Sequence, residues 1–224
     1  MLGTDELYKL LYRHMGPQNW WPADNDIELM LGAILVQNTR WRNAEIALNQ
    51  IKEHTHFNPN HILELPIETL QSLIHSKLPI ETLQSLIHSS GFYKSKTLTI
   101  KTLLTWLARH HFNYQEINER YKGGLRKELL SLKGIGSETA DVLLVYIFGR
   151  IEFIPDSYTR KIYDKLGYEN TKNYDQLKKV VTLPNHFTNQ DANEFHALLD
   201  VFGKHYFRDK DIKNYDFLEP YFKK

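Results

Sequence analysis

No cysteine occurs among the 224 residues. Disulfides, thiolate zinc sites, a cysteine nucleophile and a cysteine-ligated iron–sulfur cluster are therefore excluded. Long hydrophobic runs are missing too. The longest falls far short of the roughly 20 apolar residues that span a bilayer, so no membrane partner is expected. The N-terminus carries no basic stretch followed by an apolar core and a small-residue cleavage site, so secretion is not expected and a cytoplasmic location is. Neither sign of charge is in excess. The net charge of +1 neither marks nor excludes a polyanion-binding surface, because local patches outweigh the sum. The 11 histidines lack ligand-like spacing; His54 and His56 lie close together, but Asn58-Pro59 follow and the pair reads as solvated loop residues. No side-chain metal site is expected.

What the sequence does contain is helical periodicity. Leu7, Leu10, Leu11 and His14 form one stripe that Gly16-Pro17 stops. Asp26 reads as the cap of an apolar helix from Ile27 to Val36, and Trp41–Ile51 places Ala44, Ala47, Leu48 and Ile51 on one face. Further helices are predicted at 96–110, 124–132, 139–148, 158–166, 174–181 and 192–207. The β-branched clusters are too short for a sheet, so the expected class is all-α.

One element is written twice. "LPIETLQSLIHSK" (Leu65–Lys77) is followed directly by "LPIETLQSLIHSS" (Leu78–Ser90), with 12 of 13 positions identical. A solenoid needs more and longer repeats. Pro79 would break a continuous helix through both copies. The pattern is read as a duplicated short helix, of which one copy fills a core slot and the other lies on the surface.

A glycine-rich turn, "SLKGIGSETADVLL" (Ser131–Leu144), separates two apolar helical runs. Gly134 and Gly136 permit positive φ and close backbone approach. The helix that follows offers free N–H groups and a partial positive charge to an anion. An ordinary tight turn between helices fits Gly-x-Gly equally well. Twenty residues beyond Gly136, "IPDSYTRKIY" places Asp156 at the start of another amphipathic helix. A carboxylate there is either a cap or a group held ionised for chemistry on a developing sugar cation.

Taken together, "LKGIGSETADVLL" and "IPDSYTRKIY" resemble the hairpin and catalytic aspartate of the helix-hairpin-helix DNA glycosylase superfamily, in its endonuclease III-like form. "ELMLGAILVQNTRWRNAEIAL" and "SGFYKSKTLTIKTL" resemble further stretches of that fold, so the likeness runs from about Trp20 to Phe207. The resemblance implies two helical domains, one over 24–150 with the hairpin and the duplicated helix, the other from 1–23 and 151–224, with damaged double-stranded DNA in the cleft between them. It implies that the backbone of Lys133, Gly134, Ile135 and Gly136 holds a DNA phosphate, with a monovalent cation assisting. It further implies that Asp156 is the catalytic carboxylate and that Gln37 fills the duplex after base extrusion. The protein is expected to act as a monomer.

Two departures from the family narrow the expected activity. The four C-terminal cysteines that hold an iron–sulfur cluster in many members are absent, so no such cofactor is expected. Glu138 stands where lyase-competent members carry a lysine, and a carboxylate cannot form a Schiff base. A monofunctional glycosylase is expected; a glycosylase/lyase and an inactive DNA-binding relative are the alternatives. Three of the four tryptophans are Trp20, Trp21 and Trp41, with Pro22 beside the first two. As core residues they would need no further account. The arrangement "WWP … QNTRW", with Glu138, is similar to the 3-methyladenine branch of the superfamily, in which aromatic rings sandwich the extruded base. An alkylated purine such as 3-methyladenine is cationic, and aromatic faces attract cations. Lys204, late on the last long helix, is assigned either to solvent or to this base pocket. Lys122, Arg126, Lys127 and Lys133 near the hairpin, and Arg160-Lys161 after Asp156, are compatible with phosphate contacts.

Overall fold

A computed structural model describes residues 2–21, 23–75, 92–209 and 212–223. Among them there is no strand, and the chain is built from helices as its periodicity dictates. It divides into two compact units, Met1–Pro22 with Asp141–Lys224, and Ala23–Ala140.

The continuous unit begins with α2, Asp26–Leu35, counting Thr4–Met15 as α1. Eight of the ten α2 residues, from Ile27 to Leu35, are buried, which explains why its sequence shows no polar stripe. Its cap is Asn25 rather than Asp26: Asn25 Oδ1 accepts from the Glu28 N–H at 2.9 Å, the third position of the helix, while Asp26 already has helical geometry. α3, Trp41–Thr55, buries Ala44, Ala47, Leu48 and Ile51 on the face its spacing predicts. α4, Pro59–Glu64, is a short helix that the periodicity does not reveal. Asn58 caps it with Pro59 in its first turn, and Lys101 Nζ donates to the carbonyls of Ile62, Leu63 and Leu65 at its end.

α5, Ile67–His75, is the first copy of the duplicated segment. It buries Leu70, Leu73 and Ile74 and packs against α3 and α6, the latter running from Phe92 to Arg109. The core slot is thus filled by the first copy, whereas the second, at 78–90, lies outside the described residues. α7, Tyr114–Tyr121, is capped by Asn113 and was likewise not foreseen; α8, Leu125–Ser131, leads into the glycine turn. α9, Ser137–Tyr146, starts in this unit and ends in the other.

The discontinuous unit combines α1, the end of α9, α10 (Ser157–Lys165), α11 (Tyr174–Val180), α12 (Asn189–Gly203) and α13 (Ile212–Tyr215). Leu7 and Leu11 from α1 meet Phe153, Ile162, Tyr163, Phe195, Leu198 and Phe202 in its core. The chain passes from the continuous to the discontinuous unit at 140/141. Asp141 is the reason visible in the structure. Its fully buried carboxylate accepts from Tyr174 Oη at 2.9 Å and lies 3.3 Å from Lys178 Nζ, partners on α11 that tie this end of α9 to the discontinuous unit. α12 ends at Gly203 and passes into a π-helical turn, Lys204–Asp209. Gly203 lets α12 approach α10 closely, since a Cβ there would stand 2.3 Å from Tyr158 Cβ.

Candidate functional site

In the discontinuous unit, an apolar loop delivers Asp156 to the mouth of α10. Its Oδ1 accepts from the Thr159 N–H at 2.6 Å, so the carboxylate caps the helix and is fixed by it. The side chain is 12% exposed. Burial pushes the carboxyl group above its ordinary range, against the pull of the Thr159 and Tyr158 amides and the Lys204 ammonium.

Three polar residues face Asp156 or its neighbours from α12 and the turn after it. His196, Asp200 and Lys204 recur every four residues, the spacing of one helical face. His196 Nε2 lies 3.9 Å from Asp156 Oδ2, and its Nδ1 shares a 2.8 Å hydrogen bond with Tyr146 Oη. Burial holds the imidazole down to about 4, so it is neutral at physiological pH, and burial holds the Tyr146 phenol well above its usual range. The phenol therefore keeps its proton. If it donates that proton to Nδ1, the tautomer with Nε2–H facing the aspartate is fixed. Lys204 Nζ bonds Asp200 Oδ2 at 2.5 Å.

Trp20 and Trp21 complete the cluster. Their ring centroids are 4.8 Å apart, and Trp20 meets Tyr146 and His196 edge to face at 6.4 and 5.6 Å. Lys204 Nζ sits over the Trp20 ring, 5.3 Å from its centroid. Lys204 is partly exposed and tied to Asp200. Pro22 lies outside the described residues. Tyr146, His196 and Asp200 were missed from sequence. The signal available for the last two was the four-residue spacing that ends on Lys204, within an otherwise apolar helix.

The continuous unit holds the glycine turn. Gly134 has φ +90°, and a Cβ there would come 1.8 Å from Thr99 Oγ1 on α6, so the fold itself requires this glycine. Ile135 is buried and its N–H bonds the Leu132 carbonyl at 3.0 Å. Gly136 differs: a Cβ there would meet nothing within 4 Å. Its carbonyl accepts the first helical bond of α9, from Ala140 N–H at 2.9 Å. Gly136 itself is exposed, and the start of a helix is a place that suits an oxyanion. Glu138 and Lys133 are exposed on either side.

Gln37 joins this region through its side chain. Its Nε2 donates to Thr139 Oγ1 in the first turn of α9 at 2.7 Å. Just before it, the buried Lys96 ammonium caps the end of α2 on the Leu35 carbonyl at 2.9 Å. Burial lowers that lysine to about 8. Trp41, half-buried, opens α3 in the same unit. Among the described residues no group of three or more His, Asp or Glu side chains is arranged to hold a metal. At the turn, the Leu132 carbonyl accepts from the Ile135 N–H and the Gly136 carbonyl from the Ala140 N–H.

No family model matches the chain. A protein of Methanocaldococcus jannaschii, whose name classes it provisionally as a DNA repair glycosylase, is 35% identical over 212 residues, 92% of this chain and 90% of its own length. Endonuclease III of Sulfolobus acidocaldarius is 25% identical over 182 residues, covering 80% of this chain and 73% of that protein. Among solved structures, 3-methyladenine DNA glycosylase of H. pylori bound to 1,N6-ethenoadenine is similar with a TM-score of 0.68 and 25% identity, over 92% of this chain and 100% of that one. A non-covalent endonuclease III–DNA complex shares the fold, with a TM-score of 0.60 and 19% identity over 90% of this chain and 86% of that one.

Proposed function

Because the chain belongs to the endonuclease III family of DNA repair glycosylases, we propose that it hydrolyses the N-glycosidic bond of alkylated purines such as 3-methyladenine in double-stranded DNA, without cleaving the strand. The observation that carries this reading is Asp156: a buried carboxylate fixed by the Thr159 amide, with Oδ2 turned to a neutral histidine rather than to a salt bridge. As the glycosidic bond breaks, positive charge develops on the sugar. A fixed carboxylate in a site of low dielectric stabilises that charge without reorganising. It also orients the water that takes the sugar carbon.

Several features support the choice of base and the absence of a lyase step. Trp20 and Trp21 present a close aromatic pair beside Asp156's partner His196. Aromatic faces favour a cationic base by about 0.5–2 kcal/mol per contact, and a damaged base is less costly to unstack than a paired one. The solved relative from H. pylori, a 3-methyladenine glycosylase, holds a modified adenine. Glu138 supplies no amine for a Schiff base at the first turn of α9. In this reading the Gly134–Gly136 turn grips a phosphate, a monovalent cation on its carbonyls adding positive charge, and Gln37 enters the duplex. Lys133 lies beside the gripped phosphate.

The test is release of methylated bases from alkylated DNA by the wild type and by Asp156→Asn. Asn keeps an acceptor for the Thr159 N–H, so the cap survives while the charge is lost. Release is expected to fall by about a hundredfold or more, the scale of removing one preorganised charge-stabilising group. Release undiminished in the variant overturns the assignment of Asp156.

A further inference from the structure

Charge in the cluster around Asp156 does not balance. Two carboxylates, Asp156 and Asp200, lie with side chains only 12% and 11% exposed. One ammonium, Lys204, accompanies them, bonded to Asp200 and lying over Trp20. Among the described residues, the other groups at hand do not supply a second cation. His196 is neutral and Tyr146 keeps its proton. Glu194, which accepts from the Gln18 N–H at 2.6 Å, adds negative charge. Arg208 is largely solvent-exposed and bonded to Asp209 at 3.0 Å.

We propose that Asp200 sets the charge selectivity of the site: two buried carboxylates against one ammonium leave it one positive charge short, and a cationic base makes up the difference where a neutral base does not. The inference rests on the glycosylase reading and goes beyond it, because it names the residue that separates cationic substrates, 3-methyladenine and 7-methylguanine, from neutral ones such as 1,N6-ethenoadenine. Proton affinity points the same way. Both carboxyl groups are raised chiefly by burial, and the charge of Asp156 raises Asp200 further. The second of these causes reports negative potential, which favours another cation as it favours a proton. Lys204 cannot fill the deficit, since it is already counted against Asp200. It lies over the Trp20 ring, whose face attracts cations.

The test compares single-turnover release of 7-methylguanine and of 1,N6-ethenoadenine from the same duplex, with ethenoadenine fluorescence on binding in place of the rate if that base is not released. The wild type is expected to favour the cationic base. Asp200→Asn removes the deficit, and the ratio of cationic to neutral is expected to fall by about tenfold or more, as loss of one nearby charge in a buried site requires. Asp200→Asn/Lys204→Met restores a single unbalanced carboxylate, and the ratio is expected to return. A merely structural role for Asp200 gives no such return, so equal losses for both bases, or a ratio the double variant leaves low, overturn the proposal. Should Asp200→Asn not fold, as thermal melting reports, Lys204→Met alone widens the deficit and must raise the ratio; a ratio that stays or falls overturns it. If the wild type releases no methylated base at all while binding duplex DNA, it is the glycosylase reading that fails.

Discussion

Replacing Gly134 and Gly136 by alanine, one at a time, separates what the fold needs from what DNA needs. At Gly134 the backbone has φ +90°, and a methyl group would lie 1.8 Å from Thr99 Oγ1 and 2.9 Å from its Cβ. The backbone strain costs about 1–2 kcal/mol and the overlap about 1–3 kcal/mol, so Gly134→Ala is expected to lose about 2–5 kcal/mol of stability. Thr99 Oγ1 back-bonds to Ser95 within its helix, so Thr99→Ala is mild by itself and, combined with Gly134→Ala, relieves the overlap with Oγ1 while leaving the 2.9 Å approach to Cβ and the strain. At Gly136 nothing lies within 4 Å of the added carbon. Lower unfolded-state entropy offsets the poorer cap, and stability is expected to change by less than about 1 kcal/mol. A phosphate on the amides of the first α9 turn would meet that methyl. Losing one charge-assisted hydrogen bond, about 1.5–3 kcal/mol, weakens duplex binding about tenfold or more, equally for damaged and undamaged DNA because phosphate contacts carry no sequence information. Urea unfolding and fluorescence anisotropy on a labelled duplex read the two effects. The reasoning fails if Gly136→Ala binds DNA like the wild type, or if Gly134→Ala is as stable as the wild type.

Two further outcomes follow from the other unit. His196 titrates near 6.5 when unfolded but near 4 when folded, so the unfolded chain binds the extra proton between those values and stability falls as pH drops through that window, by up to about 3 kcal/mol. The raised carboxyls of Asp156 and Asp200 act in the opposite sense at the acid end, so the histidine is read as the difference between wild type and His196→Gln in denaturant titrations at several pH values; identical slopes contradict the assignment. Gly203→Ala forces a methyl to 2.3 Å from Tyr158 Cβ, and α12 and α10 must part. A loss of about 1–3 kcal/mol in thermal melting is expected, with a fall in base release because Asp156 and Asp200 ride on those helices; unchanged activity would show that their spacing is not critical.

How much of this was legible in the sequence varies with the range of the interactions. The stripe of Leu7 and Leu11, and the face of Ala44, Ala47, Leu48 and Ile51, are local patterns, and their residues are buried as the period requires. Asp156 as the opening residue of a helix was local too. The short helices α4 and α7 escaped because six and eight residues hold too little period to stand out, and their asparagine caps resemble loop residues. The ties of Asp141 escaped because its partners, Tyr174 and Lys178, lie more than thirty positions away. Within the site, Lys204 was visible as a charge on a late helix, but its meaning lies in Asp200 and Trp20, one a turn away and the other near the opposite end of the chain. Gly203 reads in sequence as an interruption and in three dimensions as the contact that brings α12 against Tyr158.

In the proposed reaction water, and no lysine, takes the sugar carbon. A duplex with one alkylated purine, end-labelled and incubated with the protein, tests it on a denaturing gel run with and without alkali. A free base and a full-length strand that breaks only after alkali are expected, with no adduct trapped by borohydride. A strand already nicked without alkali, together with a trapped protein–DNA adduct, would contradict it.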